Sequence, residues 1–227
     1  MASNKPNVYV VEGGIGAGKT FLLEAIDGNY LLDKKIVVVK EPLRAWCLTP
    51  HGNLLKSFCE DRARALEFQT LVMTTLSEQR KDLSDPNCVY FVERSLHSAH
   101  GVFQPILQSE GFLTVAQSYV LGKLYELLCT FSPLARGVIF LDTPLEIALR
   151  RLMLRNKSAD EALTRQYVST VMTQYYSYVD ECPLPVLRVT PGDLQRFSPL
   201  EVIGNWVKQL EGRCSWGCML RGQVMEI

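Results

Sequence analysis

The sequence has no excess of charge of either sign and no apolar segment long enough to span a bilayer. Its 24 basic and 24 acidic residues give a formal net charge of +0 at pH 7. Without a net field the chain has no global attraction for nucleic acid or anionic membranes, so recognition must come from a local site. A membrane-spanning helix needs about 20 consecutive apolar residues, and the sequence has no such run. We therefore expect a small-molecule partner, with no direct contact to nucleic acid and no membrane insertion.

Targeting and metal-binding patterns are also lacking. The first ten residues, MASNKPNVYV, have neither the layout of a secretory signal nor that of a transit peptide. The seven cysteines are an odd number at scattered positions, and no histidine near Cys214 and Cys218 completes a zinc site. Cys88 stands in an apolar run and is predicted to lie in the core. These features favour free thiols in a reducing intracellular compartment, most simply the cytoplasm.

The segment NVYVVEGGIGAGKT, residues 7–20, carries the most specific pattern in the chain. Two glycines separated by four residues and followed by lysine and threonine match a phosphate-binding loop, with an apolar run before it and a helical repeat after it. Glycines let backbone N–H groups reach phosphate oxygens, Lys19 adds a charge, and the Thr20 hydroxyl is a ligand for Mg²⁺. The alternative is a glycine-rich turn before an ordinary helix. We predict a nucleoside triphosphate site formed by Gly13, Gly14, Ile15, Gly16, Ala17, Gly18, Lys19 and Thr20.

Apolar runs alternate with helical repeats along the rest of the chain. The runs at 8–11, 36–39, 88–92, 137–141 and 186–189 predict strands, and helices are expected at 61–80, 114–131, 143–157, 160–179 and 198–212. Capping boxes predict three helix starts, at Thr114, Thr143 and Ser198. The alternation predicts one α/β domain over residues 1–212, with a parallel sheet of about five strands covered by helices on both faces. Residues 213–227 show no pattern and are expected to form a loose tail.

Charged residues follow the second and third predicted strands. Glu41 comes after the second strand, and Glu93 and Arg94 come directly after the third. Strand ends gather at one edge of a parallel sheet, close to the phosphate loop. One of these groups could hold Mg²⁺ or its water, and another could neutralise a phosphoryl oxygen. The alternatives are a local ion pair between Glu93 and Arg94 and an ordinary strand-end charge at Glu41.

One glutamine interrupts an apolar helix face. Gln69 shares the face with Val72 and Leu76. It is either a surface residue at the edge of the stripe, which the sequence slightly favours, or a group bonded to a buried polar partner.

A basic cluster ends the helix that begins after Thr143. It comprises Arg150, Arg151, Arg155 and Lys157. Such cations either complement the helix dipole or form a lid over a bound triphosphate, and the sequence does not separate these readings.

Together the motifs resemble the deoxyribonucleoside kinase family. The resemblance covers most of the chain in order: the phosphate loop, Glu41-Pro42 with Trp46, Phe68-Gln69, Glu93-Arg94-Ser95 and the basic segment 151–157. It implies a P-loop nucleoside kinase fold with a short arginine-rich lid, ATP and Mg²⁺ as donor and cofactor, and a homodimer paired through helices.

The resemblance also implies a role for each motif residue. Glu41 would be the general base for the sugar 5′-hydroxyl, and Arg94 would steady both Glu41 and the transferred phosphoryl group. Lys19 would contact the phosphates, and Thr20 and Glu93 would hold Mg²⁺. Arg151, Arg155 and Lys157 would form the lid. The implied nucleoside contacts are Trp46, Gln69, Val72, Leu76, Ala99, Phe103 and Asp160.

Two positions bear on substrate choice. Relatives that favour deoxycytidine and purines carry an arginine and an aspartate where this chain has Leu76 and Ala99, so the resemblance implies thymidine and deoxycytidine as substrates. The family's tyrosine for the 3′-hydroxyl aligns with Phe58 or Cys59, neither of which is a phenol. An acidic partner for that hydroxyl is retained as Asp160. We therefore expect weaker discrimination at the 3′ position.

Three other functions fit parts of the sequence. A nucleoside monophosphate kinase, such as thymidylate kinase, shares the loop and often the Glu-Pro pair, but usually has Asp-Arg where this chain has Glu93-Arg94. A GTP-binding switch is suggested by Asn156-Lys157, but the expected aspartate two residues later is Ala159. An inactive nucleotide-binding protein need not have retained the loop lysine together with the strand-end charges.

Overall fold

We describe a computed structural model over residues 7–50, 52–155 and 163–214, with the side chains of residues 213 and 214 left aside. Within these ranges the chain forms one six-stranded sheet in the order β2-β3-β4-β1-β5-β6. All neighbours pair in parallel except β2 and β3, which are antiparallel. The strands are β1 (Asn7–Glu12), β2 (Tyr30–Leu31), β3 (Lys34–Val39), β4 (Cys88–Glu93), β5 (Gly137–Leu141) and β6 (Val186–Val189).

Helices connect the parallel strands and cover the sheet. The longer ones are α1 (Lys19–Ile26), α4 (Ala65–Glu78), α7 (Val115–Cys129), α8 (Leu145–Arg155), α9 (Arg165–Asp180) and α11 (Pro199–Cys214). The shorter ones are α2 (Leu43–Cys47), α3 (Leu54–Glu60), α5 (Leu96–Ser98), α6 (Gln104–Ser109) and α10 (Pro191–Arg196), with a 3₁₀ turn at Arg62–Arg64 and a π-helical turn at Ala99–Phe103.

The central strands are apolar because the sheet is covered on both faces. Val10 of β1 lies opposite Val92 of β4 and Val138 of β5, and all three are buried. Continuous apolar strands of this kind are typical of parallel sheets. Tyr9 stacks on Phe91 with ring centroids 5.6 Å apart. The predicted α/β fold with five parallel strands is therefore confirmed, and β2 is an additional edge strand.

Two of the three predicted capping boxes are confirmed. The Thr114 hydroxyl accepts from the Gln117 amide at 3.1 Å, and the Gln117 side chain accepts from the Thr114 amide. Ser198 makes the same reciprocal pair with Glu201. The prediction for Thr143 was wrong: α8 begins at Leu145, and the described residues show no reciprocal pair between Thr143 and Glu146. The Thr143 hydroxyl instead donates to the Ala17 carbonyl 3.0 Å away in the phosphate loop.

Several other sequence predictions need correction. The helix predicted over 61–80 begins with the 3₁₀ turn and becomes α-helical only at Ala65. Cys88 is half-buried at the start of β4 rather than in the core, and its thiol lies 3.6 Å from an Asp85 carboxylate oxygen. The last helix continues past Gly212 to Cys214. The remainder of the predicted tail lies outside the described residues.

Over the ranges described, no helix has both the length and the apolar character needed to cross a bilayer.

Cys47, Cys88, Cys129 and Cys182 are free thiols.

Candidate functional site

A cavity of about 830 Å³ opens at the carboxyl ends of β1, β3 and β4. The strand order brings these three ends together beside the start of α1, which explains why residues far apart in sequence meet here. The cavity collects most of the predicted site residues: Ile15, Gly16, Ala17, Gly18, Lys19, Thr20, Glu41, Trp46, Gln69, Val72, Leu76, Glu93, Arg94, Ala99, Phe103, Arg151 and Arg155. Gly13 and Gly14 lie behind this wall, where their carbonyls accept from Lys19.

The loop between β1 and α1 has a backbone that requires glycine. Gly13, Gly16 and Gly18 have φ angles of 147°, 80° and 99°. A Cβ at Gly16 would lie 2.7 Å from the carbonyl oxygen of Ala148 on α8. This tight turn directs the first amides of α1 towards the cavity, where a helix N-terminus attracts phosphate oxygens.

Two side chains that follow β5 in the sequence hold the same loop. The Ala17 carbonyl accepts from Thr143 at 3.0 Å and from Arg151 at 2.6 Å. Arg151 therefore already contacts the phosphate loop, which fits the lid prediction better than a role restricted to the helix dipole. Arg155, one turn further along α8, is exposed at the cavity edge. Lys157 falls outside the described residues.

Lys19 is held by its own loop. Its ammonium donates to the Gly13 carbonyl at 2.9 Å and to the Gly14 carbonyl at 3.1 Å. Burial, together with the charge of Arg94, lowers the pKa of Lys19 to about 8. The ammonium group is therefore buried and oriented, and a bound anion would stabilise its charged form.

Glu93 joins three parts of the site. One carboxylate oxygen accepts from the Thr20 hydroxyl at 3.1 Å, and the other accepts from the Glu41 backbone amide at 3.3 Å. The end of β4 is thereby tied to the phosphate loop and to the segment after β3. Thr20 and Glu93, the predicted metal pair, are direct neighbours.

Glu41 and Arg94 form a close ion pair within the cavity. The Arg94 Nε atom lies 2.5 Å from a Glu41 carboxylate oxygen, and both side chains are at most 15% exposed. Burial alone would lower the pKa of Arg94, but surrounding acidic groups, led by Glu41, raise it above the ordinary value. The guanidinium also lies 4.3 Å from the centre of the Phe103 ring. Arg94 thus stays charged and is fixed from two sides.

The backbone of Arg94 is held in an unusual conformation. Its φ angle is 62°, a left-handed value that a residue with a long side chain rarely adopts. Its amide donates to the Val11 carbonyl at 3.0 Å, and its carbonyl accepts from Arg80 at 2.5 Å. Strained backbone of this kind occurs where surrounding contacts determine it, most often at functional sites.

Glu12 is a buried carboxylate that the sequence analysis did not single out. It lies at the end of β1 with no exposed surface, and it accepts from Ser95 at 2.6 Å and from Tyr175 at 3.0 Å. Burial raises its pKa, although the hydroxyl donors and the charge of Arg94 oppose the shift. Glu12 thus anchors the residue that follows Arg94. Its place at the end of an apolar run in the sequence did not predict this buried hydrogen-bonding role.

The inner end of the cavity is apolar with one polar group. Leu76 and Ala99 are buried, and Trp46 is fixed by donating its indole N–H to Thr75 at 2.9 Å. Gln69 is 2% exposed, and its amide donates to the Ala99 carbonyl at 2.5 Å. The sequence slightly favoured a surface position for Gln69, and that was wrong because the helix face turns inwards.

Several cavity residues were not predicted. Arg62 and Tyr167 come from the 3₁₀ turn and from α9, and Phe58 and Cys59 come from the end of α3. Nothing in the sequence places the 3₁₀ turn against α9, so only the alignment at Phe58 pointed to this wall. Asp160, the predicted acidic partner, lies outside the described residues.

The oxygen ligands at the loop suit a hard cation. In the described ranges no three histidine, cysteine or acidic side chains cluster closely enough to hold a metal by themselves. Thr20 and Glu93 supply one hydroxyl and one carboxylate. Mg²⁺ commonly binds through one or two carboxylates while keeping waters and phosphate oxygens, so this ligand set fits it.

Comparisons with known proteins agree with this geometry. The family model for deoxynucleoside kinase matches residues 9–203. "Putative kinase protein 029R" of Invertebrate iridescent virus 3 is 27% identical over 209 residues, which cover 91% of this chain and 97% of that protein.

Two further relatives have more specific names. Human "Thymidine kinase 2, mitochondrial" is 27% identical over 169 residues, 74% of this chain but only 62% of that protein. "Probable deoxycytidine kinase FPV151" of Fowlpox virus is 25% identical over 174 residues, 75% of this chain and 71% of that protein. Since the family model spans most of the sequence, the chain belongs to the deoxynucleoside kinase family, whose members are transferases that phosphorylate deoxynucleosides.

Proposed function

We propose that the protein transfers the γ-phosphoryl group of ATP to the 5′-hydroxyl of thymidine or deoxycytidine. The observation that carries the proposal is the buried Glu41–Arg94 pair, which lies in one cavity with the phosphate loop and with the apolar pocket around Gln69. An acceptor hydroxyl at Glu41 is then within reach of a phosphate held at the loop. Catalysis of this reaction depends mainly on positioning and charge neutralisation.

Glu41 is the general base of the proposed reaction. Its carboxylate takes the proton of the 5′-hydroxyl as the sugar oxygen forms a bond to the γ-phosphorus. The bond between that phosphorus and the β–γ bridging oxygen breaks, and ADP leaves with the bridging oxygen. Arg94 orients Glu41 through the 2.5 Å contact, and it neutralises a phosphoryl oxygen as charge develops.

The phosphate loop binds the donor. Lys19 and the amides at the start of α1 contact the β- and γ-phosphates of ATP. Thr20 and Glu93 would hold Mg²⁺, which would neutralise phosphate charge. Arg151 and Arg155, with Lys157, close over the transferring group as a lid. The contact between Arg151 and the Ala17 carbonyl supports this arrangement.

Gln69 recognises the base. A glutamine carboxamide has two N–H donors and one acceptor oxygen. One N–H is committed to the Ala99 carbonyl, which leaves one donor and the oxygen for the Watson–Crick edge of a pyrimidine. Phe103 stacks on the base, Trp46 and Val72 wall the pocket, and the apolar Leu76 accepts the thymine methyl without burying an unpaired charge. Asp160 is the proposed partner of the sugar 3′-hydroxyl.

Two copies of the kinase domain, residues 1–212, are proposed to pair through α7. One face of this helix packs inwards through Leu121, which is 1% exposed. The opposite face presents apolar side chains to the surface, with Val115 75%, Tyr119 67% and Leu127 55% exposed. Exposed apolar patches of this kind mark interaction surfaces.

Product analysis tests the proposed reaction. Transfer of phosphate from Mg-ATP is measured with thymidine, deoxycytidine, deoxyadenosine, deoxyguanosine and thymidylate. We expect turnover of the two pyrimidine nucleosides. Glu41→Gln should lower kcat about 10²- to 10⁴-fold, the usual contribution of a general base. Glu181→Gln, an exposed glutamate outside the cavity, is the matched control and should retain full activity.

Other outcomes would contradict the proposal. Turnover of thymidylate alone would instead indicate a monophosphate kinase and remove the assigned role of Glu41. Full activity in Glu41→Gln would show that another group takes the proton. Binding of ATP without turnover of any acceptor would separate the phosphate loop from the proposed chemistry.

A further inference from the structure

Arg62 occupies a wall of the cavity that the proposed reaction does not use. It lies in the 3₁₀ turn between α3 and α4, and its guanidinium contacts two aromatic rings. The guanidinium carbon is 4.4 Å from the centre of the Phe58 ring and 4.6 Å from the centre of the Tyr167 ring. Because these rings belong to α3 and α9, Arg62 contacts two separate elements at the cavity.

These contacts limit what Arg62 can bind. The two rings cover part of the guanidinium, and the Tyr167 phenol lies within hydrogen-bonding range of it, so binding in the cavity is left to its remaining N–H groups. Arginine donates hydrogen bonds and accepts none. Over residues 7–50, 52–155 and 163–214, no carboxylate forms an ion pair with it. The wall therefore presents oriented donors to an acceptor atom in the cavity.

The position of Arg62 identifies that acceptor. Phe58 stacks on Phe68, the neighbour of Gln69, with ring centroids 4.5 Å apart, so this wall adjoins the base pocket. On the other side, burial raises the pKa of the Tyr167 phenol, and this shift is opposed first by the charge and hydrogen bond of Arg62 and then by the charge of Arg94. The wall thus runs from the base pocket to the catalytic pair. A nucleoside with its base at Gln69 and its 5′-oxygen at Glu41 must turn the remaining edge of its sugar towards this wall.

We propose that Arg62 is a specificity-determining residue that donates hydrogen bonds to the 3′-oxygen of the deoxyribose. This inference rests on the proposed nucleoside kinase function. It supplies a replacement for the phenol that is absent at Phe58 and Cys59, and it reverses the expectation of weak 3′ discrimination. Since Arg62 only donates, its own contribution favours an acceptor at the 3′ position and disfavours an ammonium group there, opposite to the contribution of the proposed Asp160 carboxylate.

Three acceptors that differ only at the 3′ position test the proposal. They are thymidine, 3′-deoxythymidine and 3′-amino-3′-deoxythymidine, assayed with the wild type and with Arg62→Met. Methionine retains length and apolar contact between the two rings but has no donor. Arg64→Met is the matched control, because Arg64 is an exposed arginine in the same 3₁₀ turn outside the cavity.

The wild type should prefer thymidine over 3′-deoxythymidine about tenfold or more in kcat/KM, as expected for a hydrogen bond to a charged group. Arg62→Met should bring this ratio close to one, mainly by raising KM for thymidine, and should leave 3′-deoxythymidine almost unchanged. It should also relieve part of the discrimination against the 3′-amino analogue. Arg62→Lys should retain part of the preference for thymidine, and Arg64→Met should retain all of it.

An equal loss on thymidine and 3′-deoxythymidine in Arg62→Met would overturn the proposal and leave Arg62 as a packing residue. A wild type without preference for the 3′-hydroxyl would also overturn it. Calorimetric binding of the same nucleosides gives the ratio of dissociation constants if turnover is too slow to measure. If no nucleoside is bound or phosphorylated, the proposed function fails as well, whereas thymidine turnover with an unchanged ratio contradicts only the role of Arg62. Arg62→Lys serves as the test variant if Arg62→Met does not fold.

Discussion

At the scale of single residues, Lys19 makes donor binding depend on pH. Burial and the charge of Arg94 lower the pKa of Lys19 to about 8. In the protein without ATP, the ammonium group of Lys19 therefore loses its proton above that pH. Phosphate oxygens favour the ammonium form, and ATP binding must therefore raise this pKa. Affinity for Mg-ATP should be nearly constant below about pH 8 and fall up to about tenfold for each further unit of pH. Titration calorimetry between about pH 7 and pH 9 measures this, in buffers with different ionisation enthalpies that reveal proton uptake.

Lys19→Arg provides the control for this pH dependence. An arginine stays charged throughout this pH range. The affinity of the variant for Mg-ATP should therefore not decline as pH rises, even if binding is weaker overall. If the wild type and this variant decline in parallel, the titrating group is not Lys19.

Glu12 should make the free energy of unfolding depend on pH. Its folded-state pKa is raised above the ordinary value of 4.5 by burial. The stability that the carboxyl contributes is therefore complete below the unfolded pKa and is lost as pH rises through the folded pKa. Glu12→Gln has no such titration. The stability of the wild type relative to this variant should fall with rising pH, by about 1.4 kcal/mol for each unit by which the pKa is raised.

Urea unfolding of both proteins between about pH 4 and pH 8 measures the effect, with the midpoint and slope determined at each pH. A stability difference that does not change with pH would show that the Glu12 carboxyl titrates alike in the folded and unfolded chain.

At the scale of elements, one threonine motif serves two different purposes. Thr114 caps α7, whereas Thr143, predicted to cap α8, donates to the Ala17 carbonyl of the phosphate loop. Thr114→Ala should lower the free energy of unfolding by about 1 kcal/mol and leave the KM for ATP unchanged. Thr143→Val retains the shape but removes the donor, so it should raise the KM for ATP severalfold. Denaturant unfolding and initial-rate kinetics on both variants separate the two effects.

A rise in the KM for ATP in Thr114→Ala as large as that in Thr143→Val would contradict this division. The capping motif alone could not reveal it, because a hydroxyl at the start of a helix is equally able to bond outside the helix. The choice at Thr143 was set by the approach of the phosphate loop, which is a tertiary contact.

The strands show which parts of the sheet can be predicted from sequence patterns alone. The five parallel strands were predictable because each contains an apolar run, which is buried almost throughout in β1, β4 and β5 and only partly in β3. The edge strand β2 was not, because it has only two residues and pairs through a turn at Leu32 and Asp33. These residues have φ angles of 53° and 60°, a conformation usually marked by asparagine or glycine. The turn therefore lacked the residues by which hairpins are recognised.

At the scale of the whole molecule, the strand-end charges were predictable and the sugar wall was not. Glu41 and Arg94 follow strands whose carboxyl ends must meet at one edge, so the sequence alone brought them together. Arg62 and Tyr167 meet only because the 3₁₀ turn and α9 pack across the same cavity. No periodicity within either segment encodes that contact.

The proposed pairing of two copies can be tested at the exposed face of α7. Tyr119 and Leu127 are 67% and 55% exposed on the face opposite Leu121, where water would otherwise cover apolar rings and methyl groups. We expect the wild type to be a dimer by light scattering. A double substitution, Tyr119→Asp with Leu127→Asp, should give a monomer, because a pairing interface would bury four unpaired carboxylates.

Phe197→Asp is the matched control, since Phe197 is 51% exposed but lies between α10 and α11, away from this face. It should leave the dimer intact. A monomeric wild type, or a dimer that survives both α7 substitutions, would show that the exposed face of α7 does not pair two copies. Because Tyr119 and Leu127 do not line the cavity, nucleoside kinase activity should persist in the monomeric variant. Loss of activity together with the dimer would mean that pairing is needed to hold α4 and α7 in place beside the base pocket.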